Sequence, residues 1–259
     1  MVGHGVHQII SGFPRSFLDA SEIDENANLT WDLKSQSMKT QSFGDKKNVQ
    51  LALNILQYQI EIITEDMVFD TFSLEGRTVG VIIDLIKSRL SGLQVDISFY
   101  SIELPYSLES IQFTYEYKFG SIEKPALKAL SNFYHSARLS FQKTIEKELP
   151  SKYDIRIWPH HFDIAFSYHS KNEKLITVGM SPGDTSSYKT PYYYVSIWPS
   201  VNSKVTDKYQ PIVGAWHNNS WSGLVLLSND FVLENEYLEE RIILDFIKNA
   251  MQIANKVAD

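Results

Sequence analysis

Ile155-Arg-Ile-Trp-Pro-His-His-Phe-Asp-Ile-Ala-Phe-Ser-Tyr168 is the stretch on which the fold turns. Apolar and polar residues alternate through much of it, which marks residues 153–168 as a strand. Two further strands are predicted at 175–180 and 192–198, with a hairpin turn near Ser170-Lys-Asn-Glu173 between the first two. Strands and helices elsewhere do not alternate as βαβαβ units, which argues against a doubly wound parallel sheet. The pattern predicts an α+β fold, mainly antiparallel sheet with helices packed on one face, and it allows two related halves.

Outward from this block the signals vary in strength. Residues 1–30 mix Gly, Pro, Ser, Asp and Asn without sustained periodicity and read as an irregular lead-in, with His4 and His7 in a loose terminal segment. Residues 29–43 alternate weakly, as an edge strand would. In 51–63 the apolar parity switches at Ile55-Leu56, which suggests a bulge or a strand buried on both faces. Thr64-Glu-Asp66 then turns into a second strand, 67–74. Thr78 caps a helix carrying Val79, Ile82, Ile86 and Leu90, and Gly92 takes its C′ position. Strands follow at 93–100 and at 113–119, where Phe113, Tyr115, Tyr117 and Phe119 share one parity and core packing is the default reading.

Pro125 opens a long helix whose stripe is Leu127, Leu130, Tyr134, Ala137, Phe141, Ile145 and Leu149, stopped by Pro150. His135 lies beside that stripe as a boundary histidine. A short strand at 223–227 and a helix from about Glu234 close the chain, with Leu238, Ile242, Phe246, Ala250, Ile253 and Val257 on the buried face. The expected division is a lead-in (1–30), an N-terminal half (31–120) and a C-terminal half (121–259) that carries the site.

Composition narrows the function classes. Of 259 residues, 43% are hydrophobic and 21% charged, enough for a sizeable core. The net charge of −7 comes without a run of Lys or Arg, which argues against nucleic acid or an anionic membrane as partner. Cysteine is absent, so disulfides, thiolate nucleophiles and Cys-based zinc sites are excluded. No signal peptide is read at the N-terminus, and no window reaches the ~18 apolar residues of a membrane span. A soluble, cytoplasmic protein is expected.

The central block concentrates the chemistry. In a strand, His161 and Asp163 share one face, and Trp158, His160, Phe162, Ile164 and Phe166 share the other. Pro159 cannot donate a ladder hydrogen bond, so an edge position or bulge is expected there. His161 and Asp163 offer an imidazole and a carboxylate to one divalent metal ion or one proton path. A metal needs at least one more ligand, for which Asp184, His169 and His217 are candidates. On the plainer reading Asp163 only orients His161.

Gly179-Met-Ser-Pro-Gly183 matches the G-x-S-x-G pattern of serine hydrolases, but the residue after the serine must supply an oxyanion-hole N–H and enter a helix. Pro182 has no N–H. Pro182-Gly183 fits a type II turn instead, leaving Asp184 just past the corner. In the next strand Tyr192, Tyr194, Ser196 and Trp198 share a face that suits a planar or sugar-like ligand, opposite Tyr193, Val195 and Ile197 on the core side. Trp216-His-Asn-Asn-Ser-Trp221 reads as a polar loop, either a lid or an ordered turn.

Trp-Pro-x-His-Phe-Asp at 158–163, Ser-Pro-Gly-Asp at 181–184 and Pro-Tyr-x-Tyr-Val at 191–195, followed by a Trp, an apolar strand and a closing helix, resemble a bacterial family of unknown function. The likeness covers roughly 155–250 and extends faintly to Leu74-Glu-Gly-Arg-Thr78. It implies that Trp158, His161, Phe162, Asp163, Pro182, Gly183, Asp184 and Tyr192 match a family pattern, and it implies no activity.

Three readings follow. The first is a small-molecule pocket lined by Trp158, His160, His161, Asp163, Asp184, Tyr192, Tyr194, Trp198, Trp216 and His217. The second is a metal-dependent hydrolase using His161 and Asp163. The third is an interaction module whose aromatic strands pair with another chain.

Overall fold

The computed structural model describes residues 2–19, 25–44, 47–98, 100–101, 114–158, 161–184, 187–233 and 235–258. The fold is α+β, and the strand pairs whose register is given among the described residues are antiparallel. The chain divides into two units, one formed by Met1–Asn132 with Ile157–Phe162, the other by Phe133–Arg156 with Asp163–Asp259. The division falls at residue 132 rather than 121, and a short later segment returns to the first unit. Among the described residues no helix is long and apolar enough to cross a membrane.

The first unit opens with α1 (Val2–Phe17), where the sequence suggested an irregular lead-in. Gly3, Gly5, Gly12 and Pro14 disguise the helix, yet Val6, Ile9, Ile10 and Phe13 recur at helical spacing and all are fully buried. Phe13 stacks on Tyr100 with ring centroids 4.0 Å apart, and tertiary burial of this kind outweighs the poor local propensity. Five strands follow: β1 (Leu29–Asp32), β2 (Ser37–Thr40), β3 (Val49–Asn54), β4 (Gln59–Thr64) and β5 (Met67–Ser73). The 51–63 stretch is therefore not one bulged strand but parts of two, joined by a turn in which Tyr58 adopts φ 49°. The parity switch at Ile55-Leu56 was that turn. Glu65 and Asp66 both take positive φ, which suits the tight hairpin before β5.

Helix α2 (Val79–Gly92) follows, and Thr78 accepts a hydrogen bond from the Val81 amide at 3.3 Å. The left-handed residue beyond its end is Gln94, not Gly92. No strand forms at 93–98, and residues 114–119 make only an isolated bridge, Thr78 to Lys118. There Phe119 is buried whereas Tyr115 and Tyr117 are exposed; Phe113 lies outside the described residues.

The second unit takes most of α3 (Lys124–Glu148). Pro125 sits in its first turn, where a missing N–H costs nothing. Phe141, Tyr134 and Ala137 are fully buried, as the stripe predicted. The predicted strand 153–168 is broken into β6 (Arg156–Ile157) and β7 (Ile164–His169). Between them Phe162 adopts φ 56° and its amide donates to the Trp158 carbonyl at 3.0 Å, so the chain turns. Then come β8 (Leu175–Ser181), β9 (Tyr192–Trp198), α4 (Ser203–Lys208), β10 (Ala215–His217), β11 (Gly223–Leu227), α5 (Ser228–Phe231) and α6 (Glu236–Ala258).

Strand order in the first unit is β6-β1-β2-β3-β4-β5, so β1 is interior rather than an edge. In the second unit it is β10-β11-β9-β8-β7. Strand β9 lies between β8 and β11 and has no free edge for another chain. One face of this sheet carries Phe166, Val178, Tyr193, Val195 and Leu226, all essentially inaccessible. Helix α6 covers it through Ile243, Phe246, Ile247, Ala250 and Ala254, with Leu238 left exposed. Phe141 of α3 meets Phe166 and Tyr193 edge-on at 5.7 and 6.0 Å. Both helices therefore stack on the same face, leaving the opposite face for chemistry.

Candidate functional site

Register decides what the opposite face presents. Tyr194 on β9 sits across from Gly179 on β8, which in turn sits across from Ala165 on β7. One step along, Ser196 faces Thr177 and Thr177 faces Ser167. His217, Gly223 and Ser196 form the corresponding row from β10 to β9. Side chains directly opposite in a ladder share a face, so this face is small and polar beneath a few large rings. Ser167 and Thr177 share a hydrogen bond of 2.8 Å across it.

The glycines explain how the rings lie down. A Cβ on Gly179 would fall 2.3 Å from Tyr194 Cζ, so that ring rests directly over the glycine. A Cβ on Gly223 would fall 2.5 Å from Trp221 Cζ3. Gly183 adopts φ 102° in the turn after β8, the left-handed backbone expected of its type II turn. The Asp184 amide then donates to the Tyr188 carbonyl at 2.7 Å, and Asp184 Oδ1 accepts from the Ser187 amide. Ser181 ends β8 and leads into this turn rather than a helix, which agrees with rejecting it as a nucleophile.

Five rings form a closed circuit. Tyr194 to Tyr192 is 6.0 Å between centroids, Tyr192 to Tyr188 5.0 Å, Tyr188 to His217 5.5 Å, His217 to Trp221 4.3 Å and Trp221 back to Tyr194 5.9 Å. His217 and Trp221 stack at 23°, whereas the other four junctions are inclined at 49–66°. Polar groups fix the circuit at several points. Tyr192 Oη donates to Asp184 Oδ2 at 2.9 Å and Tyr194 Oη donates to Asp163 Oδ2. Tyr188 Oη and His217 Nδ1 share a hydrogen bond of 3.0 Å, and Trp221 Nε1 donates to Ser187 Oγ at 3.3 Å.

Electrostatics hold these groups in fixed protonation states. Burial pushes the Tyr194 phenol well up, and the adjacent Asp163 charge pushes it further. Tyr192 is raised by burial and by Asp184, and Tyr188 by burial. Tyr134, fully buried on α3, is raised by burial and then by Asp163. The three circuit tyrosines therefore remain neutral donors. Burial holds His217 below its usual value, opposed by the Asp184 charge, so its ring is neutral at pH 7. Only 6% of His217 is exposed, and its Nε2 has no hydrogen-bond partner among the described residues.

The structure brings Asp163, Asp184, Tyr192, Tyr194 and His217 into this one network. It leaves out the other expected residues. Trp198 ends β9 at 68% exposure, outside the circuit. Trp216 precedes His217 in β10, faces the other way and donates Nε1 to the Tyr209 carbonyl at 2.7 Å. Both Trp216 and His217 are strand residues, so the expected loop shrinks to 218–222. Trp158 is half-buried and His161 exposed, both within the first unit, and His160 lies outside the described residues. Because Phe162 adopts φ 56° and its amide donates to the Trp158 carbonyl, strand parity does not place His161 and Asp163 on a common face. Among the described residues no three or more His, Asp or Glu side chains gather as a metal would need.

Tyr188 and Trp221 were not foreseen as site residues. Both lie in loops, where no periodicity assigns a face. A cavity of about 460 Å³ lies elsewhere, between α3 and α6. Its charged walls pair with each other, Lys143 with Glu240 and Lys248 with Glu148, as a solvated helix seam does. None of the sequence-expected site residues lines it. No family model, curated protein or solved structure matches the chain.

Proposed function

We propose that the protein binds a small polar molecule at the ring circuit on the open face of its second sheet. The observation that carries this reading is the closed set of Tyr188, Tyr192, Tyr194, His217 and Trp221, two of whose hydroxyls are held by Asp163 and Asp184. Aromatic rings with fixed polar tips, resting on a floor of Gly and Ser, suit a ligand with one flat or apolar part and a few polar groups. His217 Nε2, buried beside them, has no hydrogen-bond partner among the described residues and offers such a ligand one polar contact. Catalysis through His161 and Asp163 with a metal draws no comparable support.

A thermal-shift screen of small polar metabolites against the wild type and Tyr194→Phe tests the reading. Compounds that bind at the circuit raise the wild-type midpoint and lose most of that rise in the variant. Hits that stabilise both equally place binding elsewhere and end the proposal.

A further inference from the structure

The open face of the second sheet grows more accessible as it runs away from the ring circuit. Ser181 and Tyr192 form one row and are buried; Ala165, Gly179 and Tyr194 form the next, with only Tyr194 half-buried. Beyond them Ser167, Thr177 and Ser196 are all half-buried. The last row is His169, Leu175 and Trp198, and it ends in an indole that is 68% exposed. Alternate residues of a strand share a face, so Trp198 stands on the same side as the hydroxyl row.

The strip made by these last two rows has a defined chemistry. Ser167 and Thr177 bond each other, whereas Ser196 Oγ and Trp198 Nε1 have no hydrogen-bond partner among the described residues. Trp221 rests on Gly223, and Gly223 pairs with Ser196, so a second indole borders the unpaired hydroxyl. No Asp, Glu, Lys or Arg occupies an open-face position of β7, β8 or β9, although the chain carries a net charge of −7. An ionic ligand therefore meets no countercharge on the strip. A neutral polyhydroxylated ring meets suitable partners. Its C–H face stacks on the electron-rich face of an indole, and its hydroxyls bond Ser and Thr hydroxyls, which both donate and accept. The three hydroxyl-bearing strands step across the sheet at about 4.8 Å each, close to the length of one sugar ring.

We infer that this strip binds a neutral oligosaccharide of about three hexoses, one per strand step, with Trp198 as the stacking platform and Ser167, Thr177 and Ser196 as the hydrogen-bonding floor. The inference goes beyond the small-molecule reading, because it rests on the strip beside the circuit and would survive the failure of the circuit itself.

Cellotriose, maltotriose and mannotriose, titrated into the full chain, test it. Indole N–H resonances report where each binds, and Trp198 is identified by its loss from the spectrum of Trp198→Ala. At least one trisaccharide is expected to shift the Trp198 resonance at millimolar concentration. Trp198→Ala, at a position too exposed to disturb folding, weakens that binding about tenfold or more. Ser196→Ala weakens it about threefold to tenfold and leaves binding of free indole, a flat apolar probe, unchanged. Free indole binding as tightly as the best sugar marks a merely apolar surface and overturns the inference. Silence of the Trp198 resonance with all three sugars overturns it too. A sugar that loses affinity in Tyr194→Phe but not in Trp198→Ala sits at the circuit, which overturns this inference and leaves the small-molecule reading standing.

Discussion

Gly179 decides whether Tyr194 can lie flat on the sheet. Any side chain there would meet the ring at 2.3 Å, and the ring is anchored by its hydrogen bond to the buried Asp163. Gly179→Ala is expected to lift Tyr194 from Asp163, to cost about 1–3 kcal/mol of stability and to abolish ligand binding. Chemical denaturation and the thermal-shift screen read the two effects, and an alanine variant of wild-type stability and ligand response would refute the packing argument. His217 gives a pH signature. Its folded pKa lies below 6.5 because burial favours the neutral ring, with Asp184 pulling the other way and Tyr188 bonded to Nδ1. As pH falls below 6.5 the unfolded chain takes up a proton that the native ring resists, so stability drops until the native value is passed and then levels. Melting curves from about pH 7.5 to about pH 5 should show that slope in the wild type and less of it in His217→Gln. Of this site, Asp184, Tyr192 and Tyr194 were legible from turn chemistry and strand parity. Asp163 was found for the wrong reason, since it follows a turn; Trp221 was noted only as an end of the expected polar loop, and Tyr188 had no pattern to mark it.

Elements were legible where a face is buried and obscured where tertiary contacts override local preference. Strands β8, β9 and β11 came from alternation, and α3 from a stripe that Phe141 anchors against Phe166 and Tyr193. Phe141→Ala should cost about 3–5 kcal/mol, because its site is enclosed and collapses poorly. A loss below about 1 kcal/mol by urea titration would mean that α3 does not clamp this sheet. Helix α1 was hidden by three glycines and a proline, although its apolar spacing was present. The interaction reading looked to the aromatic strands, yet β9 is paired on both sides. The exposed strand is β5, which ends the first unit's sheet and presents Met67, Val68 and Phe69 at 67, 54 and 53% exposure. Open apolar edges promote association, and a lysine placed there blocks it. Phe69→Lys should therefore reduce concentration-dependent sedimentation without moving the melting midpoint by more than about 0.5 kcal/mol equivalent. Unchanged association in that variant would clear β5 of the role.

On the scale of the whole chain, sequence order and structural membership part company. The predicted boundary at 121 followed the order of expected strands and helices, but the division at 132 runs through α3. Nor could periodicity show that residues 157–162 rejoin the first unit after its partner has begun. That return has a measurable consequence. Ile157 on β6 pairs with Leu29 on β1, and both side chains are fully inaccessible. A fragment ending at residue 132 lacks β6, leaves one side of β1 unpaired and forfeits on the order of 2 kcal/mol from the missing Ile157 side chain alone. Unpaired backbone on a strand carrying Leu29 and Trp31 also invites association. The fragment 1–132 is thus expected to melt early and to sediment as aggregates. Appending residues 153–162 through a flexible Gly/Ser linker should restore a later, cooperative transition and a monomeric boundary. Circular dichroism melts and sedimentation velocity on the two fragments decide it. If 1–132 melts at the same midpoint as the extended fragment and stays monomeric, β6 is an ornament of the first sheet rather than part of what holds it.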